Sequence, residues 1–401
     1  MLKMVDGTGI IGVDMVCPLG GAVSPPQPPN FDKIEMEGVG SLMLPNSLKA
    51  PLERVELTGN SVQGENPAPD NPQEIKSAGK YDEASGKYLL DLKVTGKNLL
   101  SNKPTDWMIG KTTSWGVVPQ TPVSYGTNVK NGIATINVKS STNYSFINKD
   151  TNKLWVYRII EQDENGLGYV NHPFYKDESL NYKKCNFSTR SNTSNIVFEI
   201  KKVDGTELLS SDIESIKIML VEGEVNEPTI YEPYTEQTVQ IALDEPLRGI
   251  GEYKDTITKD GVVRKILEAP IAEYLQNAIY GNPGEKYISS SVPKCYINYD
   301  KNKCMSNIGF ASNAENKKYI PIPRLESFLI KVSDDDTVET IKEKMKDVIV
   351  TYTIKEPTTE PLPESVQAQL QALHTENGIT HVFVDSGEVP CGIKLTYRKE
   401  K

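Results

Sequence analysis

Apolar and polar residues alternate with a period of two along much of this chain. Tyr88–Val94 sets Leu90, Leu92 and Val94 against Asp91 and Lys93. Ile216–Val221 sets Ile216, Ile218 and Leu220 against Lys217, Met219 and Val221. One apolar face and one mixed face is the signature of a half-buried strand. The same reasoning predicts strands from Leu52 (Val55 and Leu57) to Gly59-Asn60, at Val239–Leu243, and near 133–138, 143–147, 154–160 and 195–200. Gly126, Asn131-Gly132, Asn165-Gly166 and Asp204-Gly205 punctuate them as turns. The prolines of Asn66–Pro72 make that stretch an irregular surface loop. With no helical stretch of any length between 100 and 235, short strands and long loops add up to an antiparallel sandwich.

After residue 258 the texture changes. Asp260-Gly261 marks a hairpin turn. Pro270–Tyr280 reads as a short helix, with Ile271, Leu275, Ala278 and Ile279 on one face and Gly281 as its stop. Strands near 294–299 and 303–310 flank Asp300-Lys-Asn302 as another hairpin. Val338, Ile341, Met345 and Val348 recur at helical spacing behind Asp334-Asp-Asp336, acids that suit an N-cap and the helix dipole. The strand Ile349–Ile354 follows, then a helix from Pro363 to Asn377-Gly378, then strands Thr380–Val384 and Gly392–Tyr397. The predicted fold is therefore mainly β: an N-terminal arm over 1–50, carrying the polyproline spacer Ser24-Pro-Pro-Gln-Pro-Pro29; an antiparallel β-sandwich over 51–235, which the resemblance given below makes a jelly roll; and a smaller α+β C-terminal domain over 236–401.

Three segments at the proposed boundary stand in a fixed order: Ile216-Lys-Ile-Met-Leu-Val-Glu-Gly223, Tyr231-Glu-Pro-Tyr234 and Pro246-Leu-Arg-Gly-Ile-Gly-Glu-Tyr-Lys-Asp255. Together with Asn66–Gly79, Gly96-Lys-Asn-Leu99 and Leu362–Tyr397, they resemble tail and baseplate minor structural proteins of phages and prophages of low-GC Gram-positive bacteria. The resemblance covers roughly residues 50–400. It implies a carbohydrate-binding-module-like jelly roll, a place in the virion, and assembly with other tail subunits.

Composition narrows the chemistry. The 401 residues carry a net charge of −10 without a basic cluster, which argues against nucleic acid, because phosphate contacts need concentrated Lys and Arg. No apolar run approaches the ~20 residues of a membrane span. Met1-Leu-Lys-Met leads into no signal-peptide core, so the expectation is synthesis in the bacterial host cytoplasm and release by lysis. The cysteines are scattered and odd in number, as in a protein assembled reduced. Cys295 and Cys304, set about a predicted turn, are read as free thiols before a disulfide or half a zinc site. Three scattered histidines (His172, His374 and His381) make no metal site, and P-loop, G-x-S-x-G and H-E-x-x-H motifs are absent. Neither a cofactor nor a catalytic group is expected.

The candidate binding residues are aromatics in polar stretches, since sugar rings stack on them: Trp107, Trp115, Tyr125, Tyr169 and Tyr175, with His172 and Phe174 beside the last two. The alternative for Trp107 and Trp115 is burial against the sandwich. The expected function is a virion structural protein of the tail tip, baseplate or fibre, a homotrimer or larger ring, contributing to recognition of a host-surface glycan. Two rivals stand beside it: a structural connector or head-decoration protein without a ligand, and a virion enzyme that degrades glycan.

Overall fold

The computed structural model describes residues 2–6, 9–15, 31–109, 131–149, 155–163, 168–173, 184–202, 206–225, 230–312 and 317–400. Its elements are predominantly antiparallel strands, as the alternating pattern requires. No helix among the described residues is long and apolar enough to cross a membrane.

At the centre lies a sandwich built from both ends of the chain. One sheet runs in the order Glu236–Leu243, Lys87–Thr95, Gly378–Asp385, Ser41–Ser47. The facing sheet runs Cys304–Ser306, Ile349–Glu360, Gly261–Pro270, Thr256–Thr258, Arg54–Thr58, Gly392–Glu400, Phe31–Val39. Their shared core takes Leu90, Leu92, Val94, Val239, Ile241, Val382 and Val384 from the first and Val55, Leu57, Ile257, Val262, Ile393 and Leu395 from the second. The alternation at Leu90, Leu92 and Val94 is thus a strand burying one face.

This pairing corrects the proposed division. A boundary at 235/236 would separate Lys87–Thr95 from its partner Glu236–Leu243, in which Thr95 faces Glu236 and Tyr88 faces Leu243. The arm is corrected as well. Phe31–Val39 pairs along its whole length with Gly392–Glu400, and Ser41–Ser47 pairs with Gly378–Asp385, so these residues belong to the central sheets. The polyproline spacer lies outside the described residues.

The first insertion leaves the sandwich after Thr95 and returns at Glu236. Its two antiparallel sheets have the orders Trp107–Ile109, Asn131–Asn137, Asn195–Lys202, Trp155–Gln162, Gly168–Pro173 and Lys184–Ser188, Asn143–Asn148, Ile218–Glu222. Ala134, Ile196, Phe198 and Ile200 from one sheet meet Tyr144, Phe146, Phe187, Ile218 and Leu220 from the other. Phe146 and Phe198 lie with ring centroids 5.3 Å apart. This insertion is a sandwich in its own right, over nearly the strands that the sequence pattern predicts.

The second lobe grows out of the central sheet. Gly261–Pro270 and Ile349–Glu360 begin and end beside the central core, then run on to a separate core containing Ala269, Ile288, Phe328, Ile330, Ile341, Met345, Val350 and Tyr352. Leu275–Asn282, Glu285–Ser290, Phe328–Val332 and Pro321–Pro323 form its own four-stranded sheet. The helix Val338–Met345 seals the core with Ile341 and Met345, and the helix Glu364–Ala372 covers the central sandwich with Leu370.

Three local expectations are corrected here. Pro270–Tyr280 is a single 3-10 turn, Ile271–Tyr274, followed by the strand Leu275–Asn282. Cys295 and Cys304 do not face each other across a hairpin: each pairs with the Ile349–Glu360 strand, opposite Ile354 and Tyr352, and both are buried free thiols. Burial pushes the Cys295 thiol up to about 12. The N-cap of Val338–Met345 is Thr337, whose Oγ1 accepts from Thr340 N. Asp336 instead accepts from Ser333 N (2.7 Å), the Tyr319 hydroxyl (2.7 Å) and Lys344 Nζ (2.6 Å).

Candidate functional site

Of the predicted sugar platform, the described residues place Trp107 and the backbone of Tyr169. Trp107 is 5% exposed, donates Nε1–H to Ser101 O at 2.7 Å and meets Phe198 edge-on at 5.9 Å. A satisfied indole packed inside the first insertion's core offers no face to a ligand, so Trp107 is corrected from platform to core residue. Tyr169 lies on the strand Gly168–Pro173, opposite Glu161. His172 lies on the same strand as Tyr169, opposite Ile159, and Trp115, Tyr125, Phe174 and Tyr175 lie outside the described residues.

What the structure does assemble is a pair of polar seams, and both draw on the segments Gly96–Leu99, Ile216–Gly223, Tyr231–Tyr234 and Pro246–Asp255 singled out in the sequence. The first joins the inserted sandwich to the central one. Asn98, 1% exposed, accepts from Leu100 N (3.0 Å) and Leu220 N (3.1 Å) and donates to Ile218 O (3.1 Å) and Glu232 O (3.3 Å). An amide with all four bonds met leaves the incoming chain one path beside Ile218–Glu222. From the Tyr-Glu-Pro-Tyr segment, Tyr231 donates to Ile216 O at 3.2 Å, Glu232 pairs with Lys97 at 3.1 Å, and Tyr234 donates to Glu236. Burial pushes the Glu236 carboxyl up, but Tyr234, Lys103 and Lys93 outweigh it and hold the group at about 2.

His381 lies beneath the same junction. It sits on the central strand Gly378–Asp385, is 0% exposed, and stacks on Phe383, which itself packs against the insertion's core. Its Nδ1 is 3.5 Å from Glu222 Oε2 of the insertion, and Lys139 holds that carboxylate at 2.9 and 3.1 Å. Among the described residues neither ring nitrogen has a hydrogen-bond partner, and nor does the hydroxyl of its strand neighbour Thr95. Burial, aided by the Lys139 charge, drives the imidazole down to about 4. His381 is neutral near pH 7.

The second seam is where the long strands pass from the central core to the second lobe. The register of Gly261–Pro270 against Ile349–Glu360 shifts between Arg264 and Ile266. Asp255, 0% exposed, spans the shift: Oδ1 accepts from Lys265 N (2.7 Å) and Ile266 N (3.1 Å), and Oδ2 accepts from Arg248 N (3.1 Å) and lies 3.3 Å from Arg264 Nη1. Burial raises the Asp255 pKa, opposed by the N–H groups of Lys265 and Arg248 and by Arg264. Arg264, 2% exposed, also donates to Pro246 O (2.7 Å) and Glu245 O (3.0 Å). Gly249 is pressed against Gly59, where an added Cβ would stand 2.3 Å from the Gly59 carbonyl oxygen. The Pro-Leu-Arg-Gly-Ile-Gly…Lys-Asp segment is therefore a structural lock: Leu247 and Ile250 enter the interior, and Arg248 and Asp255 satisfy the bulge.

Sequence reasoning found these segments by resemblance but missed their role. Asp255 and Arg264 are the missed pair. Their signal was two charges at opposite ends of a short hairpin, a pattern that solvated surfaces also produce.

No protein-family model matches the chain, and no curated protein matches it. Among solved structures, the infectious bursal disease virus VP2 subviral particle is 8% identical over 93% of this chain and 80% of the virus chain, at a TM-score of 0.16. The infectious bursal disease virus Gx strain is 7% identical over 92% and 82%, at 0.13. Overlaps that low carry no argument about fold or function.

Proposed function

We propose that this chain is a structural protein of a phage particle, at the tail tip, baseplate or fibre, assembled as a homotrimer or larger ring and contributing to recognition of host-surface carbohydrate. The observation behind the reading is the placement of the shared segments: Asn98, Tyr231–Glu236 and Pro246–Asp255 hold three β-rich bodies together instead of lining a cleft. A chain whose family-like residues fix lobe orientation suits a scaffold that must present surfaces at set angles. In this reading the protein performs no chemistry of its own, and the inserted sandwich faces outward.

Removing the insertion tests the reading. Thr95 and Glu236 are direct cross-strand partners, so a short turn can join their flanks without disturbing the sheet. Particles carrying the shortened chain should assemble and lose adsorption to host cells. Normal adsorption would favour the connector alternative, which the burial of Trp107 supports. Failure of the shortened, folded chain to enter particles would assign the insertion to assembly.

A further inference from the structure

The inserted sandwich is tied to the central one at a narrow crossing. The chain leaves at Thr95 and returns at Glu236, and these two residues are direct cross-strand partners. Gly96 N–H donates to Thr235 Oγ1 at 3.1 Å, so the two crossings run side by side. Among the described residues no strand of the insertion pairs with a strand of the central sheets. Rotation about the crossing therefore breaks no ladder. The bonds of Asn98 to Ile218, Leu220 and Glu232, and the pair Lys97–Glu232, lie within the insertion and move with it.

Away from the crossing, His381 and Phe383 reach the insertion from the central strand Gly378–Asp385. Val382 and Val384 enter the central core, so His381 and Phe383 lie on the opposite face, where Phe383 packs against the insertion's core. From the insertion, Glu222 and Lys139 face His381. On its own sheet, Glu236 stands in the same row beyond Thr95, and Lys93 stands in the next row opposite Phe383. Met43, on its other side, belongs to the uncharged strand Ser41–Ser47. Glu376, paired with His374, approaches the crossing at Gly96.

This setting is hostile to a proton on the ring. Both Glu222 oxygens are already held by Lys139, at 2.9 and 3.1 Å, so the carboxylate beside His381 is neutralised. A cation on a side chain that is 0% exposed would stand there unbalanced. Lifting the insertion admits water to it, at the cost of the Phe383 contacts.

We infer that the His381 seam is a pH-sensitive latch: a proton on His381 swings the inserted sandwich away from the central one about the crossing at Gly96 and Thr235. The inference stands on the nested fold and is independent of the chain's place in a particle. The sign follows from linkage. Closed, the imidazole is held down to about 4; open and hydrated, it returns to about 6.5. The closed form is thus favoured above pH 6.5 and loses that advantage as pH falls toward 4. From pH 7 to pH 5 the ratio of open to closed molecules should rise about 20-fold.

Single-molecule energy transfer on the full-length protein tests this. Dyes go on Ser188→Cys in the insertion and Lys33→Cys in the central sandwich, both exposed positions, in a Cys17→Ser, Cys185→Ser background. The open population should rise about 20-fold from pH 7 to pH 5 and reverse on return, with strand content by circular dichroism unchanged. His381→Leu should abolish the response. Lys139→Gln frees Glu222 to balance the imidazolium in the closed form and should roughly halve the rise. That partly exposed site keeps the test valid if His381→Leu does not fold. An unchanged distance distribution in the parent, a shift toward the closed form in acid, or an equal response in parent and Lys139→Gln would overturn the proposal.

Discussion

Truncating Trp107 to alanine should cost about 3–5 kcal/mol of stability, because it empties a core site and leaves Ser101 O without its donor. Chemical denaturation of the purified protein checks this, and an unchanged midpoint would mean the indole is not packed as described. His381 provides a second residue-scale test. Its folded pKa, about 4, lies below the ordinary histidine value of about 6.5, so the unfolded chain binds a proton that the folded chain refuses. This contribution is fully present above pH 6.5 and is lost as pH falls toward 4. Near pH 5 the loss is about 2 kcal/mol. His381→Leu should flatten that part of the pH–stability profile, measured as unfolding midpoints from pH 7 to 4.5. A profile parallel to the parent's would rule out His381 as its source. Sequence placed Trp107 correctly only in one of its two readings, and gave no hint that His381 would meet Glu222 of the insertion.

At the scale of elements, local pattern was legible wherever one face of a strand or helix is buried. Leu90, Leu92 and Val94, and likewise Ile341 and Met345, take their predicted elements because those faces meet a core. Pro270–Tyr280 failed for a physical reason: Ile271, Leu275 and Ile279 satisfy a helical spacing, but Tyr280 and Tyr287 face each other across a strand pair, and that tertiary pairing overrides the local period. The Asp334–Asp336 run failed because Thr337 alone sits at the cap position while Asp336 is held by Tyr319 and Lys344. The strand bulge at Arg264 gives this scale its prediction. Asp255→Ala removes the acceptor of three backbone N–H groups and the partner of a buried guanidinium, and should cost about 3–5 kcal/mol in denaturant unfolding. A loss under about 1 kcal/mol, the size of a surface ion pair, would show that the seam is not a lock.

For the whole molecule, the mainly β class was legible but its connectivity was not. Nothing within Lys87–Thr95 announces that its partner is Glu236–Leu243, because the pairing is written across an entire inserted sandwich. A reader moving along the chain therefore divides it where the texture changes, near 235. The central sandwich instead closes on Gly378–Asp385 and Gly392–Glu400. The nested order has a consequence. With residues between Thr95 and Glu236 replaced by a short turn, the remaining chain should still unfold cooperatively and keep its strand content by circular dichroism. An unfolded product would mean that the sandwich depends on its insertion. The claim that this scaffold belongs to a phage particle is tested most directly by localisation. Particles should be purified from the organism that encodes the chain and labelled with antibody against the inserted sandwich for electron microscopy. The expected result is label at the distal end of the tail in symmetric copies. Purified, infectious particles that contain no trace of the chain would contradict the account.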